Sequence, residues 1–511
     1  MFHGAPFLKK FISVERNLLA DIILVCAVVD CSTIRNESGR GLKLLIRKKT
    51  ENIIAQRLVL LVLGVYSVFS NAAFAAEEDF EETQAKFQAT WIWQRHGKFA
   101  SSPPASLDSS KYSGGYPIYS LPGGRDMTYT STVTGYFGFR PWAGGELYFD
   151  PEVTQGVPFA NNLIGMGGFY NGEITRASGS NPTLYRQRLF VRQTWNHGGG
   201  SEKIESDLNW MAGTVDKNRF VLTAGNFSTL DVFDKNKYAG DPRRQFMNWG
   251  NMTSTAYDYA ADARGWSWGA TGEWYRDDWV IRFGRMTGPV RPNELPTDLR
   301  IFKHYGDQLE IEHDHEIMGQ PGAVRVMLWR NKGYLSKFRD AINYGNSVNW
   351  QPGANGMEYI LDVRKGDNVK YGAGLNFEQA LSDDGGIYGR AMWADGKTET
   401  FAFAEADRSL AIGASLKGTS WGRTEDTVGV SYMQNFLSKD RREYLSKGGI
   451  SYFIGDGWLN YHPEKIIEMY YSVAVRKDLW ITANLQYVKN PAYNADRGPF
   501  TIGSIRIHAE F

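Results

Sequence analysis

Hydrophobic and polar residues alternate along short stretches of the chain, most clearly over residues 479–488. Ile481 and the other odd-numbered positions of this stretch are apolar, whereas Thr482 and most even-numbered positions can form hydrogen bonds. Successive side chains of a strand point to opposite sides, so the spacing predicts a strand with one apolar face. A similar stretch over 467–476 meets it at 476–478, which predicts a hairpin with a tight turn.

Comparable pairs of stretches occur elsewhere, and longer polar segments separate other pairs. Short turns are predicted at 216–218, 276–278, 319–322, 383–386 and 476–478. The longer polar segments run over 101–126 and 331–367. Short turns that alternate with long loops are typical of an outer-membrane barrel, whose turns face the periplasm and whose loops face outward. A soluble antiparallel protein is the alternative, because its sheets alternate in the same way.

The last predicted strand alternates in the same manner and ends the chain at Phe511. A terminal aromatic residue in this position resembles the recognition signal of outer-membrane assembly, so Phe511 is the predicted assembly signal. A membrane-spanning helix needs about 20 consecutive apolar residues, and no apolar run beyond residue 76 comes near that length. At roughly 24 to 27 residues for each strand and its connection, residues 76–511 predict an all-β, transmembrane antiparallel β-barrel of about 16 strands. A barrel of that width leaves an aqueous channel.

An export signal is predicted before the barrel. Basic residues at 47–49 precede an apolar run over 58–69, and small residues follow it. This order is that of a secretory signal peptide, which we place at 45–75 with cleavage between Ala75 and Ala76. Residues 1–44 are expected to be an upstream extension that is not part of the native protein, or to be disordered. Both cysteines of the chain lie in that extension, so no disulfide or thiolate metal site is expected in the barrel.

Charge and composition narrow the function classes. The chain has 57 basic and 56 acidic residues, for a formal net charge of +1. This balance gives no electrostatic basis for a nucleic-acid partner. Aromatic residues make up 14% of the chain, which favours strands over long helices.

Two charged tracks are candidates for selectivity. Arg186, Arg188 and Arg192 share one predicted face of 184–195, and a lipid-facing arginine costs about 2 to 4 kcal/mol at the bilayer midplane. An acidic track lies on another strand. It consists of Glu310, Glu312 and Asp314. We expect both tracks to face the lumen from opposite walls, where they would hydrogen-bond sugar hydroxyls. The alternative is that they are ordinary hydrated lumen residues without selectivity.

Two further segments, 231–249 and 257–265, mix aromatic, acidic and basic residues and are predicted to form a loop that folds into the pore. Aromatic faces can stack on sugar rings while charged neighbours bind hydroxyls, so this mixture suits carbohydrate recognition. The candidate sugar-binding residues here are Asp234, Arg243, Arg244, Trp249 and Arg264. An exposed loop without a ligand is the alternative.

Several blocks of sequence resemble the OprB-type carbohydrate-selective porins. They lie at 141–148, 231–249, 257–265 and 490–499, and the resemblance extends over residues 87–511. The block Asn490-Pro491-Ala492-Tyr493-Asn494-Ala495-Asp496-Arg497-Gly498-Pro499 is the most specific. The resemblance implies a 16-stranded barrel that takes up sugars through a constriction containing arginine and acidic residues.

Other signals do not support catalysis or metal binding. Gly418-Thr419-Ser420-Trp421-Gly422 matches a nucleophile-elbow pattern but lacks the required helix, so a turn is predicted there. His313 and His315 share a strand face without a third ligand nearby. No catalytic residue, metal or cofactor is therefore assigned.

Three function classes follow, of which a passive porin for small sugars such as glucose is preferred. The alternatives are a non-conducting structural or adhesive barrel and a barrel enzyme. The expected partners are small carbohydrates, outer-membrane lipid and lipopolysaccharide, and the outer-membrane assembly machinery, and a homotrimer is a candidate assembly.

Overall fold

The computed structural model describes residues 80–101, 121–161, 165–176, 179–348 and 356–511. The upstream extension (1–44), the signal peptide (45–75) and the cleavage position at Ala75 and Ala76 lie outside these residues. Within the described ranges, no helix is long and apolar enough to cross a membrane.

The described residues are organised mainly as antiparallel strands. The strands are β1 (Thr83–His96), β2 (Asp126–Trp142), β3 (Gly145–Val157), β4 (Gly179–Asn196), β5 (Ser201–Ile204), β6 (Gly213–Asp216), β7 (Arg219–Phe227), β8 (Ser267–Arg276), β9 (Trp279–Thr287), β10 (Tyr305–Ile317), β11 (Gln320–Tyr334), β12 (Asp367–Ser382), β13 (Gly385–Ala394), β14 (Arg408–Gly418), β15 (Arg423–Phe436), β16 (Glu464–Arg476), β17 (Leu479–Lys489) and β18 (Phe500–Glu510). The α-helices are α1 (Trp249–Met252), α2 (Phe338–Ser347), α3 (Gly356–Asp362) and α4 (Lys439–Ser446).

Sixteen of the described strands close into one barrel, which confirms the predicted fold. Neighbouring strands pair in chain order, and β1 closes the ring by pairing with β18. Phe511 extends this seam: its backbone N–H donates to the Phe87 carbonyl at 3.0 Å, and the two rings stack with centroids 6.0 Å apart.

Apolar side chains cover the outside of the barrel, whereas many of the side chains on the inside are polar. On β17, Ile481 is 41% exposed, whereas Thr482 and Gln486 are fully buried inside. A soluble sheet packs its apolar face into a core. Here the apolar side chains lie on the outside instead, which matches a barrel whose outer surface faces lipid.

Turns and loops segregate to the two ends of the barrel. Two-residue turns join β8 to β9, β10 to β11, β12 to β13 and β16 to β17 at one end. The Gly418–Gly422 segment also forms a turn there, with a 3-10 helix at Thr419–Trp421. Apart from residues 197–218, the long connections lie at the other end, which is therefore the extracellular end.

One predicted hairpin is wrong. The segment before 216–218 was expected to be a barrel strand, but β6 pairs with β5 in a separate two-stranded sheet, and β7 pairs with β4. Residues 197–218 are therefore an insertion at the periplasmic end, which we call the periplasmic insertion. A short alternating stretch does not distinguish a barrel strand from a strand of such an insertion.

The connection between β7 and β8, residues 228–266, folds into the lumen and is called the inner loop. Its backbone reaches the far wall, where the Met247 N–H donates to Glu468 of β16 at 2.6 Å. Arg506 of β18 donates to the carbonyls of Pro242 and Gln245, each at 2.8 Å. The inner loop thus crosses the barrel and narrows the channel.

Candidate functional site

Arg188 joins the barrel wall to the inner loop. Its Nε and Nη2 donate to the two carboxylate oxygens of Asp231 at 2.8 and 2.7 Å, and Nη1 lies 3.3 Å from Asp150 of β3. The guanidinium also lies 4.6 Å from the ring centroid of Trp266. Burial alone would raise the pKa of Asp231, but the neighbouring Arg188 charge holds that pKa below its ordinary value.

A second guanidinium–aromatic contact lies towards the periplasm. Arg192 packs over the ring of Trp210 in the periplasmic insertion, with 4.0 Å to the centroid, and pairs with Glu146 at 3.2 Å. Arg192 also donates to the carbonyl of Asn209 at 3.0 Å. The periplasmic insertion therefore folds back into the barrel, where 37% of Trp210 is exposed.

A third contact lies towards the extracellular end. The Arg264 guanidinium lies 4.5 Å from the ring centroid of Tyr185 on β4. Asp262 fixes this part of the inner loop by accepting the backbone N–H groups of Arg264 and Trp266 at 2.8 and 3.0 Å. Burial raises the pKa of Asp262 to about 6, against these hydrogen bonds, which lower it.

These three contacts follow β4 from Tyr185 to Arg192, roughly 20 Å at about 3.3 Å per residue. We call the set the arginine–aromatic column. It consists of Arg264, Tyr185, Trp266, Arg188, Arg192 and Trp210. A cavity of about 130 Å³ adjoins its periplasmic half and is also lined by Asp231, Lys235 and Tyr275. Aromatic faces and guanidinium donors therefore border the same space.

Arg186 lies on the other side of the wall from Arg188. The pairing of β3 with β4 shifts between Asp150 and Pro151, so Gln187 is an extra residue that reverses the alternation. Arg186 is exposed and packs over Trp268 at 4.9 Å. The prediction that Arg186 shares a face with Arg188 and Arg192 is therefore wrong.

The acidic track is neutralised within its own wall. Glu310 and Glu312 are buried on β10, and Arg282 of the adjacent β9 lies 3.1 and 3.0 Å from them. Arg325 of β11 also contacts Glu312. Asp314 instead lines a separate cavity of about 520 Å³. The expected separation of a basic wall from an acidic wall is wrong, because Arg188, Arg192, Glu310 and Glu312 each form an ion pair with a neighbouring opposite charge.

Three inner-loop candidates are buried in internal contacts. Asp234 pairs with Arg390 of β13 at 3.2 Å. Arg243 lies 2.7 Å from Glu152 and 2.9 Å from Glu173. Trp249 is 1% exposed and packs among other aromatic rings. These residues hold the inner loop in place and do not line the cavity beside the arginine–aromatic column.

Arg244 has a different environment. Its side chain is partly exposed, lies 3.5 Å from Glu510 and packs over Trp480 at 4.5 Å. It therefore sits near the last strand of the barrel and away from the arginine–aromatic column.

The buried carboxylates that tether the inner loop, Glu468 and Asp258, are not among the site residues predicted from the sequence. Glu468 accepts the Met247 N–H at 2.6 Å and the amides of Asn251 and Asn484, each at 2.7 Å. Asp258 accepts hydrogen bonds from the Lys370 ammonium group and from the backbone N–H of Phe401, each at 2.7 Å. The available signal for Glu468 was one carboxylate within an otherwise apolar and aromatic run, Ile466 to Tyr471.

His313 and His315 lie on β10, and the centroids of their rings are 6.2 Å apart. His315 lies 3.0 Å from the side-chain oxygen of Gln379. Among the residues that the structure describes, no group of three histidine, cysteine or carboxylate side chains is arranged to hold a metal ion.

Comparisons with known proteins agree with this architecture. The sequence model of the OprB family, described as a carbohydrate-selective porin, matches residues 139–511. The high-pH structure of Pseudomonas putida OprB is similar in fold, with a TM-score of 0.61 at 13% identity over 86% of this chain and 100% of that one. Pseudomonas aeruginosa OccK2 (OpdF) has a TM-score of 0.40 at 8% identity, covering 84% and 98%. No curated protein sequence matches.

Proposed function

Because the chain belongs to the OprB family of carbohydrate-selective porins, we propose that it mediates passive diffusion of small sugars, monosaccharides such as glucose, across the outer membrane. Its family and fold are those of outer-membrane channels of Gram-negative bacteria.

The arginine–aromatic column is the observation that supports a sugar path. Tyr185 and Trp210, whose rings are partly or largely accessible, offer flat faces for the C–H side of a pyranose ring. Arg188 and Arg192 offer planar donors to hydroxyl groups. The carboxylates paired with these arginines can accept hydrogen bonds from sugar hydroxyl groups. They also reduce the net charge of the column, which favours a neutral polar solute over an ion.

The required affinity is small. A porin must release its solute, so binding has to stay weak. Millimolar affinity corresponds to about 4 kcal/mol. A few hydrogen bonds to charged groups, worth about 1.5 to 3 kcal/mol each, and one aromatic contact reach this after the cost of ordering the sugar.

The principal test is Arg188→Ala in the refolded barrel. We expect the saturable block of ion current by glucose to weaken several-fold, because a central donor is lost. Ion preference should shift towards cations, because one positive lumen charge is removed. Single-channel sugar block and reversal potential, measured in one bilayer preparation, check both effects.

Two companion variants separate sugar binding from loop anchoring. Asp231→Asn breaks the Arg188 ion pair but keeps the guanidinium, so a sugar-binding role predicts that substantial block is retained. Arg186→Ala removes an arginine two positions away on the outer face and is expected to leave block unchanged. If Arg186→Ala and Arg188→Ala weaken block equally, the column is not the sugar path.

The inner loop gives one reason to consider a non-conducting barrel, because it crosses the lumen and buries many wall residues. Conductance of the wild-type protein decides between a porin and a non-conducting structural barrel. Stable ion conductance that glucose reduces in a saturable manner supports the porin, whereas a barrel that inserts without conductance supports the structural role.

We also propose the assembly partner. Phe511 continues the β1–β18 seam through two backbone hydrogen bonds with Phe87, at 3.0 and 2.6 Å, and a terminal aromatic residue suits recognition by the outer-membrane assembly machinery. Deleting Phe511 should reduce the amount of heat-modifiable barrel in outer-membrane fractions several-fold. Phe511→Trp is the matched control and should assemble normally. Normal assembly of the deletion variant would contradict this role.

Outer-membrane lipid, lipopolysaccharide and two further copies of the chain complete the proposed partners. Chemical cross-linking in native membranes tests the homotrimer: a ladder that stops at three copies supports it, and a monomer band alone contradicts it.

A further inference from the structure

Four basic residues lie on the outer face of the barrel, near the extracellular ends of neighbouring strands. We call them the basic patch. It consists of Arg408 on β14, Lys465 on β16, Lys489 on β17 and Arg95 on β1. Arg408, Lys489 and Arg95 are exposed, and Lys465 is partly exposed.

The strand register fixes the arrangement of this patch. Lys465 is directly opposite Lys489 in the β16–β17 pair. Adjacent strands lie about 4.8 Å apart, so Arg408 lies two strands, roughly 10 Å, from the lysine pair on one side. Arg95 lies two strands away on the other side and is also displaced by roughly 13 Å along the strand direction, because its partner Gly503 pairs with Leu485, four residues before Lys489. All four are at the end of the barrel that carries the long loops.

The lysine pair is unfavourable for folding by itself, because like charges directly opposite on adjacent strands destabilise a sheet. No ion pair joins any of the four basic residues to a carboxylate among the residues that the structure describes. Their positive charges are therefore uncompensated within the described part of the chain.

Another sector at the same end of the barrel shows the contrasting arrangement. Arg285 of β9 and Arg330 of β11 both pair with Asp307 of the intervening β10, at 2.6 and 2.9 Å. Lys332 lies 3.6 Å from Asp367. Basic residues at this level are thus paired with carboxylates in one sector, which we call the paired sector, and left unpaired in the other.

Apolar side chains lie immediately below the basic patch on the same outer face. Ile467, Tyr487 and Ile505 are exposed there and follow Lys465, Lys489 and Arg95 towards the barrel middle. This places fixed positive charges at the upper edge of a lipid-facing surface, where long basic side chains can extend to the polar region.

We propose that the basic patch binds the phosphate groups of a glycolipid in the outer leaflet, with the glycolipid acyl chains lying against the apolar surface below. Phosphates placed between Lys465 and Lys489 relieve the repulsion between the two ammonium groups, and Arg408 and Arg95 contact the flanking anionic groups. The site depends on the outer-membrane location and is independent of sugar conduction.

The test measures binding of rough-type lipopolysaccharide to the purified, delipidated barrel in mild detergent. A basic residue near an anionic surface contributes about a factor of five to binding, so Lys465→Gln with Lys489→Gln should weaken binding roughly 25-fold. Lys465→Arg with Lys489→Arg should retain it. Arg285→Gln with Arg330→Gln removes two charges from the paired sector and should also retain binding.

Two further probes identify the source of the phosphate. Dephosphorylated lipopolysaccharide should bind wild-type protein as weakly as the double glutamine variant binds the phosphorylated form. Inorganic phosphate at millimolar concentration should not displace the glycolipid. Equal binding of both glycolipid forms, full displacement by phosphate, or unchanged binding by the double glutamine variant would overturn the proposal.

Sugar block is measured on the same preparations and should be unchanged in the double glutamine variant. A wild-type barrel that binds glycolipid but shows no sugar block would refute the proposed transport function and leave the glycolipid site standing. The reverse result would refute only the glycolipid site.

Discussion

The two sides of the inner loop contact the barrel in different ways. On the far side, Glu468 and its amide partners are fully buried and tie the loop to β16 and β17. On the near side, Arg188 and Asp231 remain partly exposed, with 14% and 30% of their side-chain surfaces accessible. The far side is a sealed contact, whereas the near side borders a water-accessible space.

Charged lumen residues therefore have two separate uses in this barrel. A carboxylate surrounded by donors and closed to water stabilises the loop position. A charge pair that keeps water contact can exchange hydrogen bonds with a passing solute. Lumen location alone therefore does not identify a selectivity residue.

Glu468→Ala should have the largest effect, because it opens the sealed side. Several buried donors would lose their acceptor, and unsatisfied buried groups cost about 1 to 3 kcal/mol each. We expect ion conductance to rise several-fold and the temperature of heat modification to fall. Glu468→Gln keeps one acceptor oxygen and should give an intermediate result. Unchanged conductance in Glu468→Ala would show that this contact does not hold the loop.

Trp210→Ala should have a moderate effect confined to the near side. The variant removes the ring over which Arg192 packs, a contact worth about 0.5 to 2 kcal/mol. We expect glucose block to weaken two- to fivefold while heat stability changes little. Trp210→Phe retains a ring and should preserve most of the block. A loss of block in both variants alike would show that the indole N–H matters more than the aromatic face.

The smallest effect concerns pH. Burial raises the pKa of Asp262 to about 6, so this carboxyl takes up a proton between pH 7 and pH 5. A raised folded-state pKa means that protonation stabilises the fold, hence acidification to pH 5 should not unfold the barrel through this group. Cation preference should fall modestly, with a midpoint near pH 6. Reversal potentials of Asp262→Asn should lack this step, and an identical step in that variant would assign it elsewhere.

Local patterns were sufficient for much of the barrel. The two-residue period gave the strands around 467–488, and the same alternation gave the last strand, which ends before Phe511. Both depend on residues that are near each other in sequence or at a chain end. The periplasmic insertion was missed because β5 and β6 are as short and alternating as parts of a barrel strand.

The candidate site was less predictable, since it depends on irregularities and distant contacts. A single extra residue, Gln187, moves Arg186 to the outer face, and nothing in the local alternation marks that bulge. Glu468 meets Met247 across 221 positions of chain. Such a partnership is fixed by how the inner loop crosses the lumen, which no short sequence window records.

The path of the inner loop also constrains the order of assembly. The loop contacts β3 through Arg243 and Glu152, and it contacts β16 and β18 through Glu468 and Arg506. These walls lie on both sides of the β1–β18 seam. If the inner loop docked early on a nascent sheet, it would bring β1 and β18 towards each other before they pair. Contacts of the inner loop would then promote closure of the barrel.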